Sequence, residues 1–103
     1  MNNKIIYEYM VEMDLPIPFS QEFILLVPKQ RALINNLMTE KIIKSYAVSM
    51  DEGKLWASML AESEDEVVDI LITFPIIDHV KYKISKLAFH NIISTITPQF
   101  SLN

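Results

Sequence analysis

The chain contains no cysteine. This removes disulfides, thiolate metal sites and cysteine nucleophiles together, and suits a reducing compartment such as the cytoplasm. It has a single glycine, Gly53, so no glycine-rich loop can gather backbone N–H groups around a phosphate, and the P-loop and dinucleotide-binding classes are excluded. Positive charge is also scarce. Nine Lys and Arg stand against thirteen Asp and Glu, for a formal net charge of -4 and an isoelectric point near 5.0. That is the wrong sign for a surface that neutralises phosphates, so nucleic acid is not an expected partner. No apolar run approaches the roughly 20 residues that cross a bilayer, and no basic-then-apolar leader opens the sequence, so neither a membrane span nor an export signal is expected.

What is present suffices for one packed domain. Of 103 residues, 50% are hydrophobic and 21% charged, a balance that favours a folded core over disorder. Lys4 to Met13 is rich in β-branched and aromatic residues and reads as a first strand. Period-two geometry puts Ile5, Tyr7, Tyr9, Val11 and Met13 on one face and Ile6, Glu8, Met10 and Glu12 on the other. Pro16 and Pro18 then break the pattern, and Ser20 offers an N-cap with Glu22 in the first turn of a helix. Phe23, Leu26, Val27, Ile34, Leu37 and Met38 follow helical spacing, with a kink or restart expected at Pro28.

Lys41–Met50 and Lys54–Ala61 read as a hairpin across Asp51-Glu52-Gly53. Ser63-Glu64-Asp65-Glu66 has the form of a capping box, in which the Ser63 hydroxyl accepts from the Glu66 N–H and the glutamate reaches back to Ser63. Val67, Ile70, Leu71 and Phe74 supply the inner stripe of this second helix, and Pro75 stops it. A fourth strand follows from about His79 to Phe89. The order β-α-β-β-α-β specifies an α+β, ferredoxin-like fold: a four-stranded antiparallel sheet with two helices on one face. The other face is left open. With Trp56 and Met10 on it, that face asks for a cover, and a second copy of the chain is the simplest one.

Several residues are candidates for chemistry. Glu8 and Glu12 lie on the face expected to be enclosed, where desolvation could raise a carboxyl toward base-competent values; the plainer reading of both is a solvated strand face. They stand about 13 Å apart along a strand, too far to work as a glycosidase-type pair. His79, at the start of the fourth strand, is the better candidate of the two histidines for acid–base work. Its odd separation from His90 puts the two histidines on opposite faces of a regular strand, which disfavours a shared metal site. Trp56 should point to the open face, there to stack on a ligand or to anchor a subunit interface. Tyr46 carries the same two readings. Lys81, Lys83 and Lys86 around Tyr82 read as protection of a sheet edge or as an anion patch. Arg31 is the sole arginine and a candidate carboxylate clamp, while Gln30 beside it reads as surface polarity.

Phe74-Pro75-Ile76, followed by His79-Val80-Lys81-Tyr82-Lys83-Ile84 and closing on Leu87 and His90, resembles the C-terminal third of muconolactone isomerase. The Leu15-Pro16 pair and the Ser63-capped helix are similar as well. The resemblance implies a dimeric α+β barrel with sheets face to face, and an isomerase that moves a proton within an unsaturated lactone. It also makes His90 the counterpart of the family's terminal histidine. The first strand departs from the family, with Glu8, Met10 and Asp14 where that family carries a histidine and lysines. Two function classes follow from the sequence. One is a small-molecule isomerase or binder in which Glu8 or His79 moves the proton and Glu12, Tyr46, Trp56, Arg31 and His90 hold a small lactone or carboxylate ligand, with no cofactor and no metal. The other is a non-catalytic oligomeric assembly domain. Residues 1–90 form the expected domain, and 91–103, carrying Ile92, Ile93, Ile96 and Phe100, form an expected arm packed on a neighbouring subunit of a homodimer or larger homo-oligomer.

Overall fold

A computed structural model describes residues 4–93. The elements are β1 (Tyr7–Asp14), α1 (Gln21–Thr39), β2 (Ile43–Ser49), β3 (Lys54–Ala61), α2 (Glu64–Leu71) and β4 (Lys81–Lys86), with a short 3-10 turn at Ile77–His79. The strands form one antiparallel sheet in the order β2-β3-β1-β4. This is the βαββαβ, ferredoxin-like arrangement expected from the sequence.

The alternation in β1 holds. Tyr9, Val11 and Met13 are buried and join Leu55, Ala57, Met59 and Ala61 of β3 beneath the helices. From the helix layer Phe23, Ile34 and Leu37 of α1, Val67 and Leu71 of α2, and Phe74 and Ile76 beyond α2 complete the core. Burying side chains as large as Phe74 and Met59 stabilises the fold by about 2–3 kcal/mol each. Met38, placed on the inner stripe of α1 by its spacing, is instead 40% exposed, because the stripe has rotated away from the sheet in the last turn.

The ends of the elements show which local signals decide. Ser20 caps α1, its hydroxyl accepting from the Phe23 N–H at 3.0 Å. The helix runs unbroken through Pro28. The carbonyl that Pro28 leaves without a donor belongs to Ile24, which is 52% exposed, so water can serve it and no restart is needed. At the other end Lys41 takes the left-handed conformation, φ 63°. Its N–H donates to the Met38 carbonyl and that of Ile42 to the Leu37 carbonyl. This is a Schellman-type cap. The cap takes up Lys41 and Ile42, so β2 starts at Ile43 and not at Lys41.

Gly53 closes the hairpin at φ 64°, and its carbonyl accepts from the Leu15 N–H at 2.8 Å. The Ser63 cap forms as expected, accepting from the Glu66 N–H at 3.2 Å. The Glu66 carboxylate reaches one residue further back than expected and accepts from the Glu62 N–H at 2.7 Å. His79 belongs to the 3-10 turn and not to the fourth strand. Residues 94–103, most of the expected arm, lie outside the described residues.

Candidate functional site

The sheet separates the expected site residues into two groups. Glu8, Glu12 and Trp56 point to the open face, as period-two geometry requires. Tyr46, Arg31 and His79 belong to the helix side. A register irregularity between Ile43 and Ser45 accounts for Tyr46: after it, Tyr46 lies opposite Ala57 and Ser45 opposite Ser58. Tyr46 thereby joins the core face, while Ser45 joins the open one. Glu8 and His79, the two alternative candidates for moving a proton, thus stand on opposite sides of the sheet.

The open face is charged and internally paired where an apolar patch was expected. At one end, the chain after β4 folds back along β1, with the Leu87 N–H donating to the Glu8 carbonyl at 2.9 Å. This brings His90 Nδ1 to 2.6 Å from Glu8 Oε2, while Lys44 Nζ lies 3.3 Å from Oε1. Burial pulls the Glu8 carboxyl upward, but hydrogen bonds from His90, Ser58 and Lys44 outweigh it and hold the group below its ordinary value. Glu8 is therefore a carboxylate at neutral pH. His90 Nδ1 therefore donates to it. Beneath this pair the hydroxyls of Ser45 and Ser58 are 2.8 Å apart.

At the other end Glu12 accepts from Lys54 Nζ at 3.2 Å and from Trp56 Nε1 at 3.2 Å. These bonds hold the Glu12 carboxyl below its ordinary value. Lys54 also pairs with Asp14, and the two acids together raise Lys54. Lys83 stands opposite Glu12 on the edge strand β4. Trp56 is thus fixed by its own chain, and desolvation does not raise either glutamate as the sequence had suggested.

The helix side holds a cavity of about 310 Å³ between α1 and the β2–β3 hairpin. Its apolar walls include Phe19, Phe23, Val27, Leu55 and Ile76, and its polar residues are Gln30, Arg31 and Tyr46. Gln30 is 4% exposed, contrary to its reading as surface polarity. Its Oε1 accepts from the Ile76 N–H at 3.4 Å, whereas Nε2 has no partner among the described residues. A buried amide N–H without an acceptor costs about 1–3 kcal/mol, so few proteins retain one without a use for it. Burial pushes the Tyr46 phenol up, opposed by Gln30 beside it. His79 packs edge-on to Phe23 with ring centroids 5.8 Å apart, and so stands behind that residue and does not line the cavity.

Gln30 is the residue that sequence reasoning misplaced, and a signal for it existed. Phe23, Gln30, Ile34 and Leu37 are the buried residues of α1, and the steps of seven, four and three between them keep one helix face. A polar residue on that stripe is a buried polar group, and buried polar groups ask for partners. Among the described residues no group of three or more His, Cys, Asp or Glu is placed to hold a metal ion, and no helix is long and apolar enough to cross a membrane. No protein-family model matches the chain, and no curated protein matches it either.

Proposed function

We propose that this chain binds a small, largely apolar molecule in the cavity between α1 and the β2–β3 hairpin. The observation that carries the reading is an apolar-walled cavity of about 310 Å³ lined in part by the buried Gln30, whose Nε2 has no partner among the described residues. Ligand sites have this character: apolar walls, a few fixed polar groups, and volumes from about 300 Å³ upward. The reading keeps the binding half of what the resemblance to muconolactone isomerase implies and gives less weight to the catalytic half. The cavity walls include neither a carboxylate nor a histidine, whereas the Glu8–His90 pair sits on the opposite face. An isomerase would have to bring its substrate to the open sheet face. Native mass spectrometry of the purified protein tests the binding reading. Retained mass in wild type that is lost in a cavity-filling Val27→Phe variant is the expected result, and equal retention of the same species by both proteins would overturn it.

A second reading, oligomeric assembly, is favoured by one observation. β1 and β4 pair with Tyr9 opposite Lys86, so the chain before Tyr7 and the chain after Lys86 meet at one end of the sheet. Ile5, Ile6, Phe89, Ile92 and Ile93 there are all more than half exposed. An apolar patch of that kind is ordinarily covered by a partner, and a homodimer covers it with a second copy. Sedimentation velocity of wild type and an Ile92→Ser/Ile93→Ser variant decides the matter: a dimer weakened by the double change supports assembly, and a wild-type monomer at micromolar concentration excludes it.

A further inference from the structure

The chain that follows β4 is fastened to the sheet at one residue. Residues 87–93 form neither helix nor strand, yet they are drawn back along β1 by two hydrogen bonds. The Leu87 N–H donates to the Glu8 carbonyl at 2.9 Å, and His90 Nδ1 donates to Glu8 Oε2 at 2.6 Å. Both fastenings are to Glu8, and among the described residues no other hydrogen bond holds this segment. Glu8 is held in turn, since Lys44 Nζ lies 3.3 Å from its other oxygen. The Glu8 and His90 side chains are only 12% and 25% exposed. Their bond is thus charge-assisted and largely shielded from water, the conditions under which a hydrogen bond is strongest.

What the segment carries gives this fastening a consequence. Phe89, Ile92 and Ile93 lie on it, each more than half exposed, at the end of the sheet where Ile5 and Ile6 lead into β1. The cations that border them are satisfied within the chain: Lys4 pairs with Glu62 at 3.3 Å, Lys86 lies over the Tyr7 ring at 3.6 Å, and Lys44 and His90 share Glu8. These residues leave no free charge to select a partner of opposite sign, so the occupant that fits the patch is the same patch on a second copy. We propose that the Glu8–His90 bond is a latch. Closed, it holds residues 87–93 along β1 as a strap and presents Phe89, Ile92 and Ile93 to a second copy; open, it frees the strap and dissolves the contact surface. This deepens the assembly reading above and rests on it. A segment with few backbone hydrogen bonds and much exposed surface opens without global unfolding, so the latch works while the core stays folded. His90 then serves assembly and does not hold a ligand.

The test compares wild type, His90→Ala and Phe89→Ser as full chains at pH 7, by sedimentation velocity at micromolar concentration and by amide hydrogen exchange read in ¹H–¹⁵N spectra. His90 lies outside the core cluster, and the amides of the central strand β3 report whether each variant keeps its core. His90→Ala should speed exchange at the Leu87 amide and weaken the dimer, each by at least about tenfold, the worth of one charge-assisted hydrogen bond. Phe89→Ser should weaken the dimer and leave Leu87 as slow as in wild type, because it removes apolar surface and keeps the latch. A Leu87 amide that His90→Ala does not speed, or that Phe89→Ser speeds equally, overturns the latch. Equal acceleration of the β3 amides in His90→Ala also overturns it, because the strap would then unfold only with the core. A loosened Leu87 in a dimer of unchanged strength overturns the link between latch and assembly and leaves the assembly reading standing. A wild-type monomer overturns both the inference and the reading beneath it.

Discussion

Replacing Gln30 with Met should make the protein more stable and at the same time less able to bind. Met is close to Gln in length and adapts to an irregular space. Two hydrogen-bonding effects then oppose each other. The change removes a buried Nε2 that has no partner among the described residues, relieving about 1–3 kcal/mol. It also leaves the buried Ile76 N–H without its acceptor, but that bond is already long at 3.4 Å, beyond the usual N–H···O range, so the cost belongs at the lower end of the same span, about 1 kcal/mol. The net expectation is a gain of about 1 kcal/mol, equivalent to roughly 4–8 °C in Tm for a domain of this size. Urea denaturation followed by Trp56 fluorescence and by circular dichroism measures it, with the mass retained in native mass spectrometry compared in parallel. A stabilised variant that no longer retains the mass held by wild type is the mark of a residue kept for a ligand at a cost to folding. A loss of more than about 1 kcal/mol would refute the reasoning, because the amide would then be serving the Ile76 turn and the free N–H would be incidental.

The open face gives a prediction about acid. Glu8 has a folded value below its ordinary value of 4.5, so on acidification the unfolded chain takes up the proton first. The stabilisation is complete above pH 4.5 and is lost as the pH falls through the folded value. Glu8→Gln should cost about 1–2 kcal/mol at pH 7 through the lost charged hydrogen bonds and should flatten the stability profile below pH 4.5; parallel acid limbs for the two proteins would show that Glu8 contributes nothing there. Gly53→Ala should destabilise by about 1–2 kcal/mol in urea titration, because φ is 64° and the added Cβ would lie 3.1 Å from Ile17 Cδ1. An unchanged midpoint would mean that the hairpin relaxes freely at that turn.

The sequence by itself determined the order of the elements and most of their limits, since those are set by contacts within a few residues. Ser20 and Ser63 cap the next turns of chain, Gly53 admits a left-handed turn, and the alternation of Tyr9, Val11 and Met13 with Glu8, Met10 and Glu12 assigns β1 its two faces. Even the local misses have local causes: Lys41 adopts a conformation more usual for glycine, and Pro28 leaves an exposed carbonyl that water can serve. The site is another matter, because its residues meet only through the sheet. The irregularity between Ile43 and Ser45 turns Tyr46 toward the helices, a displacement that strand periodicity does not carry. His90 reaches Glu8 because the chain after β4 returns along β1, a pairing of residues 82 positions apart. Gln30 is buried with its Oε1 accepting from the Ile76 N–H, and Ile76 comes 46 residues later. Local propensity fixes what each segment becomes; which side chains share a face, a hydrogen bond or a cavity is decided by register and packing, whose free energy is collected only when distant segments meet.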